Sequence, residues 1–425
     1  MFWRTLRGIF TVFGGSSYAP LAAAPLILRG IRLDEQRPSK KKEIPVYVWG
    51  NNAYGVADPS TFGLESDVRL PRQVSCWQGM RLKSVALAEK HGAAIDADGN
   101  LYQWGAAFWA ESGVKPGTAP VCTVAGRNLT QVTANEGGVF AVTADGSIMV
   151  RPLDLGEPEQ LVTLEEPVAE LAAGHSHLVA LTSSGRVYTG PTNRSGNVFG
   201  QLGRGPTDST QRALATITAP PTLSLDELTT IIQGWPRSEA SIERIATDAE
   251  HRDERLFPDV RLEQVDGRFW DGRKVVQVAA GDHHSLVRTE CGHVYGFGSN
   301  EMLQLGLGPY DPPRSINPYP TEITTFWADR QKPQNERVSG VACAGQTSYF
   351  IIDSPTATTV YAAGFGQYGQ LGSKAWTHAS GIPQRVASIS GMTYYDERVR
   401  QVLPIRVTDL SAGGNHAAAV MQTFV

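Results

Sequence analysis

Two stretches of this sequence, 293–308 and 360–373, spell nearly the same text: HVYGFGSNEMLQLGLG and VYAAGFGQYGQLGS. In both, a short apolar strand runs into a Gly-rich loop, and weaker copies of this phrase begin at residues 46, 101 and 186. A second phrase, a turn of small residues that runs into an apolar strand, recurs between them, for example as AGHSHLVALTSSG at 173–185. A repeat of roughly 40–70 residues with several strands per unit is typical of a β-propeller.

The turns inside the repeats favour the same fold class. Tight turns such as DADGN at 96–100 and TADGS at 143–147 join the short strands. Their Asp-Gly pairs supply the positive φ angles that a hairpin needs. One unit cannot bury both faces of its sheet alone, whereas a ring of units shares its cores and leaves few free edges. We therefore predict an all-β, closed β-propeller.

The segments YGFGSNEMLQLGLG and AAGFGQYGQLGS, together with the A-G-x-x-H turns, resemble the repeats of the regulator-of-chromosome-condensation family. The resemblance covers about 46–425 and implies seven blades, although six units are legible, beginning at 46, 101, 147, 186, 293 and 360. A hidden unit would have to lie in 186–292, whose middle reads as helix. For closure, we expect the VYVWG strand at 46–50 to pair with the strand that ends at Gln422.

The repeated Gly, Trp and His residues are predicted to be structural. Gly residues end strands where a neighbouring backbone passes close, and the imidazoles satisfy the turns. A functional role for them is the alternative interpretation. The residues assigned to this structural repeat are Trp49, Gly50, Trp104, Gly105, Gly174, His177, Gly281, His284, Gly298, Gly306, Gly364, Gly372, Gly413 and His416.

Two insertions interrupt the repeats. The first, about 206–257, contains a capping box at 224–227 and then apolar residues at helical spacing. The second, about 309–338, is Pro-rich. Each is interpreted either as decoration of one face or as a partner-docking arm, since propellers place function in loops. The candidate partner-binding residues are Trp235, Ile242, Glu243, Ile245, Arg252 and Trp327.

Residues 1–43 form a leader and linker. Four arginines and no acidic residue precede Asp34, a composition typical of a mitochondrial transit peptide. Residues 8–28 are uncharged and long enough to cross a bilayer, so a retained inner-membrane anchor is the alternative. The segment RPSKKK at 37–42 reads as a solvated linker, with a nuclear signal as its alternative.

The sequence contains no recognisable catalytic or cofactor motif. His175 and His177 stand two apart, as metal ligands on one strand face could, but no Cys or carboxylate nearby completes a shell. His283 and His284 are adjacent and should diverge. The four cysteines form no C-x-x-C pair. We predict no enzyme activity, no metal and no cofactor.

The net charge of the chain argues against nucleic acid as a direct partner. The net charge of −4 gives no electrostatic footprint for DNA, and direct RNA contact should be weak. Family members with a mitochondrial leader are associated with respiratory-chain assembly or with the mitochondrial ribosome and its RNA. The resemblance thus implies a mitochondrial interaction scaffold, in the matrix or at the inner membrane. The alternative is guanine-nucleotide exchange on a small GTPase, the activity of the family's nuclear founding member, which works through a loop wedge.

Overall fold

The computed structural model describes residues 9–12 and 47–423, except for 65–66, 74, 78–79, 118, 194, 206–259, 309–314, 326–336, 355–356, 367–370, 373–377, 388, 397–399 and 414–415. The described chain is almost entirely β-structure. Its one α-helix in these residues is α1 (Ala106–Ser112), which follows a strand of the first complete sheet. Short 3-10 helices cover Pro59–Thr61, Ser75–Trp77 and Gly267–Trp270.

Five antiparallel sheets each contain four strands that follow one another in the sequence, as propeller blades do. Three strands precede them: β1 (Ile9–Val12), β2 (Tyr47–Asn51) and β3 (Asp67–Gln73). Blade 1 contains β4 (Leu82–Leu87), β5 (Gly92–Asp96), β6 (Leu101–Trp104) and β7 (Val121–Val124). Blade 2 contains β8 (Leu129–Asn135), β9 (Gly138–Thr143), β10 (Ile148–Pro152) and β11 (Gln160–Val162). Blade 3 contains β12 (Val168–Ala173), β13 (His177–Thr182), β14 (Val187–Pro191) and β15 (Glu263–Gln264).

Blade 4 contains β16 (Val275–Ala280), β17 (His284–Thr289), β18 (Val294–Ser299) and β19 (Ile316–Glu322). Blade 5 contains β20 (Arg337–Ala344), β21 (Thr347–Asp353), β22 (Thr358–Phe365) and β23 (Ala379–Arg385). The last strands are β24 (Thr393–Asp396), β25 (Gln401–Gly413) and β26 (His416–Thr423). The first strand of each blade contacts the first strand of the next, from β4 through β8, β12, β16 and β20 to β25.

The cores lie between neighbouring blades. Ile95 of blade 1 and Val132 of blade 2 share one buried cluster, and Phe140 of blade 2 and Leu178 of blade 3 share the next. All four side chains have no exposed surface. Because each blade buries its faces against its neighbours, no blade has a complete core of its own. This packing confirms the propeller that the repeats predict.

The six remaining strands form a four-stranded sheet, in the order β1, β26, β25, β24, and the two-stranded sheet β2–β3. β25 and β26 pair with each other and carry a bulge between Val407 and Asp409, at the place where every first-to-second strand pair has one. β2 pairs with β3. We call β25–β26 the inner half and β2–β3 the outer half. Six first-strand and six third-strand segments match the six legible units, and a seventh blade, which the family resemblance implies, stays a prediction.

One expected pairing is wrong in the described ladders. The strand beside β26 is β1, in which Ile9 stands opposite Met421 and Val12 opposite Ala418. The VYVWG strand instead pairs only with β3 among the strands described. The physical reason is that one edge of β26 can accept one strand, and β1 already occupies it.

Candidate functional site

The turns that join the first and second strands of the blades meet at one end of the ring. Their backbones are linked from blade to blade: the N–H of His175 donates to the carbonyl of Asp282 at 3.1 Å, and the N–H of Asp282 donates to the carbonyl of Gly345 at 2.9 Å. The N–H of Glu89 donates to Oε1 of Glu136 at 3.1 Å. We call the group Glu89, Glu136, His175, Asp282 and His283 the axial recess.

Three carboxylates share this recess. Burial raises the pKa of Asp282, the charge of Glu89 raises it further, and His175 opposes both. Burial also raises the pKa of Glu136, while the N–H of Glu89 and the neighbouring His175 oppose this rise. Neither side chain is fully closed to water. The recess therefore holds acidic groups that are poorly solvated and that an incoming cationic group would stabilise.

Aromatic rings cover one side of the recess. The imidazole of His283 lies 5.5 Å from the ring of His175 and 4.6 Å from the ring of Phe199, measured between centroids. Burial lowers the pKa of His283 to about 3, and the neighbouring His175 and His177 lower it as well. His283 is therefore neutral at physiological pH and adds polar and aromatic surface rather than charge.

The A-G-x-x-H histidines lie behind the recess and join the blades. Nε2 of His177 is 2.9 Å from Oγ of Ser285 in the next blade, and Nε2 of His284 is 3.0 Å from Oγ of Ser348. The Ser285 hydroxyl donates to the carbonyl of Gln201 at 3.1 Å, so it accepts from the N–H of His177. We call each His–Ser pair a clasp. The imidazole thus bonds the following blade rather than its own turn.

These Ser–His pairs resemble a nucleophile and its base, but their setting favours structure. All four side chains have no exposed surface, so no substrate can reach them. The Ser285 hydroxyl already donates to Gln201, and Nδ1 of His177 has no orienting partner among the described residues. His175 and His177 do not converge on one point, because the ring of His175 lies beside that of His283 while His177 bonds Ser285. No group of metal ligands exists in the described part of the chain.

The Gly residues of the repeat lie where any side chain would collide. A Cβ at Gly174 would lie 2.1 Å from Cε1 of His177, and Gly281 stands in the same relation to His284, at 2.2 Å. Gly298 has a φ of 108°, which favours glycine, and a Cβ there would lie 2.4 Å from the carbonyl oxygen of His283. These contacts support the structural interpretation of the repeat.

The other repeat residues are distributed around the ring. Nε1 of the buried Trp104 donates to the carbonyl of Val56 at 2.8 Å, which ties blade 1 to the loop after β2. Four other Gly residues of the repeat have a positive φ, and a Cβ at any of them would lie within 3.3 Å of a neighbouring atom. They are Gly105, Gly306, Gly364 and Gly372. Trp49 and Gly50 belong to β2, Gly413 to β25 and His416 to β26.

Sequence reasoning missed most of the recess. Trp235, Ile242, Glu243, Ile245, Arg252 and Trp327, the predicted partner-binding residues, lie outside the described residues. Glu89, Glu136 and Asp282 each occupy the middle of the small-residue turn, and comparison of these turns position by position would have found them. Ser285 and Ser348 directly follow the His position of their turns, a second signal that was present.

Comparisons with known proteins agree with this architecture. Models of the regulator of chromosome condensation (RCC1) repeat match residues 275–304, 291–351 and 359–420. The crystal structure of human WBSCR16 aligns with a TM-score of 0.61 and 14% identity, covering 91% of this chain and 84% of that one. The protein is therefore a β-propeller. Its residues 275–351 and 359–420 carry RCC1 repeats, so the resemblance to the regulator-of-chromosome-condensation family is shown for these residues.

Two curated relatives, both from Arabidopsis thaliana, are similar over most of the chain. The ultraviolet-B receptor UVR8 is 25% identical over 66% of this chain, and the mitochondrial RCC1 domain-containing protein RUG3 is 24% identical over 88% of it. The chain spans 56% and 60% of the length of these relatives. In the described residues, no helix has the length and apolarity needed to span a membrane.

Proposed function

We propose that this propeller is a non-enzymatic protein-interaction scaffold of mitochondria, which assists assembly or stability of a respiratory-chain complex or of the mitochondrial ribosome. The observation that carries the proposal is the axial recess, which offers acidic groups from blades 1, 2 and 4 to a partner, while the Ser–His pairs are sealed from solvent. The Arg-rich leader and the similarity to RUG3 support the mitochondrial location.

The location is tested with a fluorescent fusion at the carboxyl end of the full chain. We expect import into mitochondria and loss of the leader, with fractionation distinguishing the matrix from the inner membrane. A fusion that stays cytosolic with an uncut leader would remove the mitochondrial part of the proposal.

The recess is tested by proximity labelling from the full chain. In one variant, Glu89→Gln, Glu136→Gln and Asp282→Asn replace the three acidic side chains of the recess by neutral amides. We expect this variant to lose its principal protein neighbours, because a cationic partner group would no longer be attracted. The matched control removes three exposed acids elsewhere, with the substitutions Asp98→Asn, Glu157→Gln and Glu290→Gln. Equal labelling by both variants would contradict a docking role for the recess.

The insertion at 206–257 is compared in the same experiment. A chain without it should keep the recess-dependent neighbours and lose only those that dock on the arm. RNA is expected among the neighbours only through proteins, and abundant direct RNA crosslinks would contradict this.

The alternative function, nucleotide exchange on a small GTPase, is favoured by a different observation. β24 and the first residues of β25 form a hairpin in which Tyr395 stands opposite Val402, and these side chains are 59% and 65% exposed. Exposed apolar side chains on a hairpin at a sheet edge are typical of a surface that contacts a partner. Release of labelled nucleotide from candidate GTPases should then be accelerated by the full chain and not by the variant with Tyr395→Ser and Val402→Ser. No acceleration by the full chain would reject the alternative.

A further inference from the structure

The outer half β2–β3 has the geometry of the third and fourth strands of a blade. Its ladder has a bulge between Val48 and Gly50. The third-to-fourth strand pair of blade 4 has the same bulge between Gly296 and Gly298, and that of blade 5 has it between Ala362 and Gly364. By register, β2–β3 is therefore a blade without its first two strands.

The loop that follows β2 also lies where such a blade requires it. The carbonyl of Tyr54 accepts a hydrogen bond from the N–H of Ala106 at 2.9 Å, and that of Val56 accepts one from Trp104. In the same way, the loop after β14 bonds the next blade through the carbonyl of Gln201. The outer half is thus anchored beside blade 1, at the position that follows the inner half around the ring.

The pairing of the second and third strands in the complete blades predicts which strand should pair with the edge of β26. In blades 1, 3, 4 and 5, the tyrosine of the third strand stands opposite the third residue after the turn's final His or Thr. The four pairs are Tyr102 with Ala94, Tyr188 with Ala180, Tyr295 with Val287, and Tyr361 with Phe350. The same rule, counted from His416, places Tyr47 opposite Ala419 and Val48 opposite Ala418.

β1 occupies these same positions. Thr11 stands opposite Ala419, and Val12 stands opposite Ala418. Two segments of the chain therefore compete for one edge, since the N–H and C=O groups of that edge can form one ladder. The outer half is left as a two-stranded sheet, which is marginally stable without further pairing.

We propose that β1 pairs with the edge of β26 only temporarily and prevents β2 from pairing there. When β1 is removed, β2 pairs with β26 in its place. The exchange completes the blade in the order β25, β26, β2, β3 and joins the inner half to an outer half that is already anchored on blade 1. The inference goes beyond the proposed function and does not depend on it. If the leader is cut on import, the cut itself would permit ring closure.

The test uses disulfide trapping in the full chain, with the exposed Cys122 and Cys291 replaced by Ser. Residues directly opposite in antiparallel strands approach closely enough for a disulfide. One variant carries Val12→Cys and Ala418→Cys, and a second carries Val48→Cys and Ala418→Cys. Each is made with the native β1 and with Phe10→Pro and Thr11→Pro, because proline cannot donate to a ladder.

With native β1, we expect the 12–418 disulfide and little of the 48–418 disulfide. With the two prolines, the 12–418 disulfide should be lost and the 48–418 disulfide should become the main product. Tyr395→Cys with Val402→Cys, an opposed and exposed pair in the β24–β25 hairpin, controls for oxidation and should form equally in both backgrounds.

Two results would overturn the inference. Equal 48–418 trapping with and without the prolines would mean that β1 does not block the edge. Absence of 48–418 trapping in the proline background, with the control disulfide formed, would mean that β2 cannot take the edge. Both disulfide yields are measured on purified protein, so they do not depend on the location of the protein in the cell.

Discussion

His177 shows how single residues of the repeat act at atomic distance. Its ring packs on Gly174, bonds Ser285 across the blade boundary and has no exposed surface. A larger residue at position 174 should destabilise the fold because the space beside the imidazole is filled. Protonation of His177 should destabilise it as well, because water is excluded from the ring.

Gly174→Ala should lower the free energy of unfolding by about 1–3 kcal/mol, the usual cost of overpacking a filled core. The new Cβ would lie 2.1 Å from the imidazole of His177. Chemical denaturation of the full chain measures the loss. Gly267→Ala is the matched control, because the nearest atom to its Cβ would be at 3.7 Å. Equal losses in the two variants would refute the close-packing argument.

Acid should weaken the fold through the same residue. Burial, followed by the neighbouring His284 and His175, lowers the pKa of His177 to about 3, whereas an unfolded histidine titrates near ~6.5. The unfolded chain therefore binds the proton first. The stability that neutral His177 contributes is complete above about pH 6.5 and is lost as the pH falls toward 3, at up to ~1.4 kcal/mol per pH unit.

The variant His177→Gln removes this one titration. Between pH 6 and pH 4.5, its free energy of unfolding should fall less steeply than that of the unchanged chain. The difference between the curves isolates His177 from Glu136 and Asp282, whose raised pKa values act in the opposite direction. Parallel curves would show that His177 is not a buried neutral histidine.

At the scale of elements, the blades are joined by clasps as well as by apolar packing. The His177–Ser285 clasp crosses from β13 to β17, and the His284–Ser348 clasp crosses from β17 to β21. The loop of Gln201 extends the first clasp, so three segments share one buried polar chain. Such a chain is costly to break because its members cannot turn to water.

Ser285→Ala should therefore lower the free energy of unfolding by about 1–3 kcal/mol, since it leaves the N–H of His177 and the carbonyl of Gln201 buried and unpaired. Thermal unfolding followed by circular dichroism measures this. The control is Ser183→Ala, in the exposed turn after β13 of blade 3. It should change the free energy of unfolding by less than about 0.5 kcal/mol. A neutral Ser285→Ala would mean that the clasp does not bind the blades.

The sequence predicts the strands themselves better than the pairing between distant strands. The six strand units and their turns were predictable, because apolar strands and Asp-Gly turns are local signals. The strand beside β26 was not, because Ile9–Val12 and Val46–Gly50 are both short apolar segments, and pairing between distant segments leaves no local pattern. The recess was hidden for a similar reason: Glu89 and Asp282 become neighbours only when the ring is formed.

At the scale of the whole molecule, the axial recess has a cost in stability. Asp282 and Glu136 are acids held where burial disfavours their charge. Neighbouring ionisable groups that oppose folding are typical of binding sites.

Asp282→Asn should therefore raise the melting temperature of the full chain at pH 7.5, because a neutral amide of similar shape removes the penalty of the buried charge. Asp98→Asn, in an exposed turn, is the control and should leave the melting temperature nearly unchanged. A lower melting temperature for Asp282→Asn would indicate that the carboxylate is structural, and would weaken the docking proposal.

The clasps are not evenly distributed. Where blades 4 and 5 present Ser285 and Ser348, blade 2 presents Val139, and the buried His91 of blade 1 finds no side-chain partner for its ring nitrogens among the described residues. Heat or a pulling force should consequently separate blades 1 and 2 before it separates blades 3 and 4 or blades 4 and 5, which the clasps join. Blades 3, 4 and 5 would then stay together as the last unit to unfold.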